Sequence, residues 1–219
     1  MSEKIIDLWD KVLDFFFPKS EIIAELERLA KANSLGILPN PYPEPYHYIS
    51  SLFSYRDRKV RALVWAIKYK GNIRLAEAVG RLIYENIVDE IGEKILFEKF
   101  AKIILIPIPA GRKHLEVRGF NQTEIIAEAI KRADETDMLQ LGKNILTKIR
   151  ETEPQTKLPR HKRMKNLNGA FAARSVKEID GSLSILIDDV ATTGSTLREA
   201  RRALLAAGAK KVIAFTIAH

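Results

Sequence analysis

Not one of the 219 residues is cysteine. Disulfides, thiol nucleophiles and every cysteine-ligated zinc or iron–sulfur site are thereby excluded, and the expected address is the cytoplasm. Histidine is scarce. His47, His114, His161 and His219 are scattered without metal-ligand spacing, so neither cysteine nor histidine supplies a metal site directly. No serine or histidine stands in a nucleophile-elbow context, which leaves a hydrolase triad without support. Long hydrophobic runs are missing too: none reaches the ~18 residues of a membrane span. The first residues are acidic and amphipathic, unlike the basic-then-apolar pattern of a secretory signal. There is no internal repeat and no low-complexity tract.

What is present suffices for a folded domain. The chain is 46% hydrophobic and 29% charged, enough to bury a core beneath a water-facing surface. Its 36 basic side chains outnumber 28 acidic ones, a formal charge of +8. Residues 1–55 hold 5 basic and 8 acidic side chains, whereas residues 56–219 hold 31 and 20. The excess therefore belongs to the larger, C-terminal part. It suits nucleic acid, an anionic membrane surface or a polyphosphate ligand, without choosing among them.

Ile5, Ile6, Trp9, Val12, Leu13 and Phe16 recur at helical spacing, predicting a helix over 3–17 that ends at Pro18. Ser20 suits the cap of a second helix, with Ile22, Ile23, Leu26, Leu29 and Ala30 as its stripe. The proline-rich run from Asn40 to Tyr46 cannot continue a helix and reads as a linker. It divides a helical segment, 1–46, from a larger domain, 47–219, with a hood at 47–100 and a core at 101–219. An extended stretch at 48–55 precedes a helix over 57–69, stopped by Gly71. Leu75, Val79, Leu82, Ile83 and Ile87 mark the next helix. From 103 onward, strands at 103–107, 144–149, 184–187 and 211–217 alternate with helices at 122–132 and 195–207. Short apolar strands alternating with helices predict an α/β fold, its parallel sheet covered on both faces.

The most informative segment runs from Ile185 to Thr196, ILIDDVATTGST. A buried strand delivers Asp188 and Asp189 to the C-terminal edge of a parallel sheet, where ligands bind in open α/β folds. A loop of small residues follows (Ala191, Thr192, Thr193, Gly194, Ser195 and Thr196) and opens into a helix. Backbone N–H groups in such a loop, with the positive end of the helix, form an anion cradle. A hydroxyl-rich helix start alone is often only a cap, and paired aspartates at a strand end are often solvated. Contiguous, they describe a pocket for a sugar phosphate: carboxylates for hydroxyls, amides for phosphate.

This string resembles the 5-phosphoribosyl-1-pyrophosphate (PRPP) binding motif of type I phosphoribosyltransferases. Further strings resemble the ComF branch of that superfamily: Pro107-Ile-Pro109, Arg118-Gly-Phe-Asn-Gln122, Lys68-Tyr-Lys-Gly71, and Arg150 with Thr152, Pro154-Gln155, Arg163, Asn166 and Asn168-Gly-Ala-Phe171. The resemblance covers roughly residues 48–219 and implies a type I phosphoribosyltransferase-like parallel sheet flanked by helices, with an N-terminal helical subdomain or hood. It implies that Asp188 and Asp189 hold the ribose hydroxyls, in the catalytic position, and that residues 191–196 wrap the 5-phosphate. Pro109, Ala110, Gly111, Arg112, Arg118 and Asn121 would face the pyrophosphate. Arg150, Gln155, Lys157, Arg160 and Arg163 would belong to a flexible basic lid, since residues 148–165 carry 7 basic and 2 acidic side chains. Magnesium would arrive with PRPP. ComF-type proteins usually carry a cysteine-ligated zinc module after a Phe-Pro helix end; here Phe15-Phe-Phe-Pro18 stands without any cysteine.

The leading expectation is a phosphoribosyltransferase-like protein that binds Mg–PRPP and transfers or recognises a 5-phosphoribosyl group, its acceptor unreadable. One alternative is a competence or DNA-uptake accessory protein binding single-stranded DNA. Tyr55, Trp65 and Tyr69 lie among Arg56, Arg58, Arg61 and Lys68, and rings among basic residues can stack bases. Trp65 also falls near the face that should be buried. A non-catalytic PRPP-sensing regulator is a third reading, and a homodimer stays open.

Overall fold

The computed structural model describes residues 19–39, 46–150, 169–174 and 176–219. The helix expected at 3–17, residues 40–45 of the linker and the basic stretch 151–168 lie outside the described residues.

Among the described residues, α1 (Lys19–Lys31) and a 3₁₀ turn (Leu35–Ile37) precede β1 (Ile49–Phe53). Then come α2 (Arg58–Lys70), α3 (Ile73–Phe97) and β2 (Ile103–Pro107). A short α4 (Arg112–Arg118) leads to α5 (Gln122–Ala133), followed by β3 (Leu139–Leu141) and β4 (Leu146–Lys148). The remaining elements are β5 (Phe171–Ala173), α6 (Val176–Ile179), β6 (Leu183–Val190), α7 (Ser195–Ala206) and β7 (Lys211–Ala218).

Five strands form one sheet in the order β1–β7–β6–β2–β3, every neighbouring pair parallel. All five residues of β2 are buried, as are the first five of β6. Strands wrapped on both faces read as unbroken apolar runs for this reason. Side chains alternate across the sheet. Leu183, Ile185 and Ile187 join the core beneath α1, α2, α3 and α5, while Leu186 meets Leu197, Ala200 and Leu204 of α7 on the other face. Helices thus cover both faces, as the sequence pattern requires.

Local chemistry sets the helix boundaries. Asp57 caps α2 by accepting from the N–H groups of Lys59 (2.7 Å) and Val60 (3.1 Å). Gly71, at φ 57°, ends it in the left-handed conformation that glycine tolerates. Where α3 crosses α5, Gly80 faces Ala129; a Cβ at Gly80 would lie 2.6 Å from that of Ala129, so a hydrogen permits the close approach.

Two elements differ from the sequence pattern. The strand expected at 144–149 exists as β4, but it pairs antiparallel with β5 outside the main sheet (Leu146↔Ala173, Lys148↔Phe171). The parallel edge belongs instead to β3, whose three residues Leu-Gln-Leu are too short and too polar at the centre to register as a strand. What positions β3 is Asp134 at the end of α5. Its carboxylate accepts from the backbone N–H groups of Leu139 (2.8 Å) and Met138 (3.2 Å). β1, read only as an extended stretch, pairs with β7 at the opposite edge.

Candidate functional site

The site grows from the ends of two adjacent central strands. β2 and β6 pair up to Pro107↔Ile187, and the Ile108 N–H donates to the Ile187 carbonyl at 2.9 Å. The segment 109–111 and the aspartate pair therefore leave the same edge of the sheet. Asp188 and residues 190–197 line a small concavity before α7. Asp189 does not; it meets the helices on the opposite side.

The loop between β6 and α7 holds its shape through three features. The Ala191 N–H donates to the Ala218 carbonyl (2.9 Å), while the Ala191 carbonyl accepts from His219 Nδ1 (2.6 Å). Thr193 and Ser195 hydroxyls are bonded to each other at 2.5 Å. Gly194 adopts φ 64°, and a Cβ there would fall 2.8 Å from the Tyr46 ring. Only glycine meets both the left-handed backbone and that close packing. Gly194, which has no side chain to cap with, precedes the first turn of α7, and no acidic residue occupies that turn. Helix-terminal N–H groups at the positive end of the dipole suit an anion.

The two aspartates occupy different electrostatic settings. Asp189 is buried, its Oδ2 accepting from Lys68 Nζ (2.5 Å) and Gln122 Nε2 (3.3 Å), and its Oδ1 from the Val190 N–H (2.8 Å). Burial opposes its charge, yet the Lys68 ammonium, this hydrogen bonding and Arg118 hold its pKa below the usual carboxylate range. Asp188 Oδ1 accepts from the Asp189 N–H at 2.9 Å. Burial first, and the neighbouring Asp189 charge second, push the Asp188 carboxyl up to about 8. Burial pulls Lys68 down, but Asp189 outweighs it and the ammonium pKa is raised.

The other sequence-predicted positions divide. Gly111 is buried behind Pro109 and Ala110, and Arg112 is exposed at the start of α4. Arg118 lies over the Tyr69 ring, 4.7 Å from its centroid, and donates to Gln122 Oε1 at 3.1 Å. Asn121 is committed elsewhere: its carbonyl oxygen caps α5 at Thr123, and its amide donates to the Ile108 carbonyl and to Glu124. Arg150 is exposed just beyond β4, whereas Gln155, Lys157, Arg160 and Arg163 lie outside the described residues. The described ends of that segment are anchored. The Ile149 N–H donates to the Ala170 carbonyl (2.9 Å) and the Gly169 N–H to Glu199 of α7 (2.7 Å).

Sequence reasoning gave Lys68 and Gln122 no place beside the aspartate pair. Both sat inside quoted motif strings, but a pairing across 121 residues, Lys68 to Asp189, has no local signature. Among the described residues, no three His, Asp or Glu side chains gather into a metal-binding group.

Residues 127–219 match the family model described as the phosphoribosyl transferase domain. The strand, loop and helix just described lie within that match. The chain is 28% identical to Competence protein ComFC of Bacillus subtilis over 76% of its own length and 62% of that protein's. It is equally similar to DNA utilization protein YhgH of Salmonella typhimurium (78% and 71% covered) and to Competence protein F of Haemophilus influenzae (79% and 70%). The chain is thus similar to ComF-type proteins. It spans less than two thirds of the ComFC relative's length. A solved glutamic acid mutant at an invariant aspartic acid of HPRTs aligns at TM-score 0.39 and 12% identity, over 64% of this chain and 65% of its own.

Proposed function

We propose that the protein binds PRPP with its magnesium ion at the end of β6, and that it transfers or recognises the 5-phosphoribosyl group. The observation that carries this reading is the start of α7 behind the left-handed Gly194, with Asp188 in the same concavity. Residues 191–196 would take the 5-phosphate on backbone N–H groups. Of the acid pair, Asp188 would meet the ribose hydroxyls with Asp189 supporting it from behind, and the loop from Pro109 to Arg118 would face the pyrophosphate. Arg150 and the basic residues 157, 160 and 163 would close over the polyphosphate. Magnesium would travel on the pyrophosphate and supply charge neutralisation there.

Displacement at the anomeric carbon develops positive charge on the sugar and negative charge on the departing pyrophosphate. Fixed N–H groups and arginines aimed at the leaving group stabilise that change, and a closed lid excludes water. Isothermal titration of wild type and the D188N and D189N variants with Mg–PRPP tests the assignment. Heat from wild type that is lost in both variants supports it; no heat from wild type removes it.

A second reading, binding of single-stranded DNA, is favoured by the competence and DNA utilization names of the relatives. Tyr55 and Tyr69 are 37% and 44% exposed, beside the basic residues of α2 and Arg118. Trp65, partly buried against the core, packs on Tyr69 with Lys70 over its ring. Single-strand affinity that falls steeply with salt supports this role, and no binding at low salt counts against it.

A further inference from the structure

The ion pair between α2 and the end of β6 has no part in the family reading set out above, yet it reaches directly into the aspartate pair. Lys68 and Asp189 side chains are 27% and 8% exposed. They are shielded from water but open to each other at 2.5 Å. Isolated from a partner, either charge would be costly there; paired, each stabilises the other. The remaining surroundings of Asp189 reinforce its charge. Gln122 of α5 donates to the same oxygen and is itself held by Arg118, which stacks on Tyr69 of α2. Tyr55, at the start of the turn into α2, adds no competing charge: burial raises its pKa, with Lys68 opposing and Asp189 reinforcing that shift. Arg61 is the remaining cation within reach of Tyr55. The named groups that face Asp189 from α2, α4 and α5 are thus donors or cations (Lys68, Arg118 and Gln122), and Asp188 lies beside it.

We propose that Lys68 is a positioning residue: it holds Asp189 as the ionised, inward-facing member of the acid pair and leaves Asp188 as the carboxyl presented to a ligand in the concavity before α7. This rests on the reading of that concavity as a ribose phosphate site. Two equivalent carboxylates would repel a polyanionic ligand twice over. With one neutralised by a lysine from α2, the pair presents a single titrating group to the sugar. The described part of the segment before the core thereby completes the site as well as covering the sheet. An aspartate adjacent in sequence to another is assigned a separate task by a residue 121 positions away.

The test uses the full chain with ¹³C-labelled aspartate, the D188N and D189N variants assigning the two carboxyl signals. In wild type and K68R, the Asp189 signal should stay ionised down to low pH while Asp188 titrates several pH units higher. In K68M, the Asp189 midpoint should rise by at least one pH unit, and Mg–PRPP affinity should fall at least tenfold, with K68R retaining most of it. A purely structural role would lower the melting temperature of K68M and leave both midpoints in place. An unshifted Asp189 midpoint in folded K68M overturns the proposal, as does unchanged Mg–PRPP affinity. If K68M does not fold, K68Q takes its place with the same outcomes. Should wild type bind no PRPP, the ligand reading fails, and the carboxyl titration alone decides whether Lys68 sets the charge of the pair.

Discussion

Two acid sites, one buried and one half-buried, sit at opposite ends of the sheet's chemistry. Asp134, at the turn from α5 into β3, accepts from two backbone N–H groups, the Thr136 hydroxyl, the Tyr84 hydroxyl and Lys131. Burial works against its charge, but these donors prevail and lower its pKa to about 2. Asp188, at the end of β6, is offered the Asp189 N–H and faces another carboxylate, and its pKa rises to about 8. A carboxylate fully supplied with donors builds structure. One that is desolvated beside a like charge, in a concavity at a helix start, is the carboxyl we propose for a ligand.

The largest expected effect breaks the ligand side of this contrast. At pH 9, where Asp188 is ionised, D188N should weaken Mg–PRPP binding by about 100-fold, the scale of losing a charged hydrogen-bond acceptor at about 1.5–3 kcal/mol, while D134A leaves the affinity per folded molecule unchanged. Titration calorimetry on both variants reads the difference. The second effect falls on the structural side. The depression of the Asp134 pKa from 3.8 to about 2 corresponds to about 2 kcal/mol of stability at neutral pH. D134A should lose that amount in urea unfolding. Because the folded pKa lies below the unfolded one, the contribution is present above about pH 4 and fades as pH falls through about 2.

A smaller loss, about 1 kcal/mol, is expected for N121A, since its side chain caps α5 and ties it to β2. Retained Mg–PRPP binding by N121A would place Asn121 with Asp134 as a structural residue. The last effect has the opposite sign. The folded pKa of Asp188 lies above its unfolded value, so its contribution is complete below about pH 4 and lost as pH rises through about 8. D188N should therefore melt a few degrees higher than wild type at pH 9 and show no such gain at pH 4, measured by thermal circular dichroism.

Much of this contrast was legible before any coordinates. The apolar runs Ile103–Pro107 and Ser184–Ile187 announced buried parallel strands, because both faces of such a sheet are covered. The string from Asp188 to Thr196 placed acids, glycine and hydroxyls at a strand end for local reasons that a sequence displays. β3 was not legible, since its three residues are held by Asp134 and by its neighbour β2 rather than by propensity. The inequality of Asp188 and Asp189 was hidden as well. Alternation along β6 sends one toward Lys68 and Gln122 and leaves the other at the concavity, and those partners come from helices far away in the chain. Asn121 shows the converse: a residue in a motif string whose side chain is spent on a helix cap.

The most direct measurement of the central claim is a crystal structure of the protein soaked with PRPP and Mg²⁺. The account predicts the 5-phosphate within hydrogen-bonding distance of the backbone N–H groups of residues 191–196, with Asp188 against the ribose hydroxyls and Lys68 still on Asp189. A ligand bound elsewhere, or a 5-phosphate that makes no contact with that loop, would contradict it.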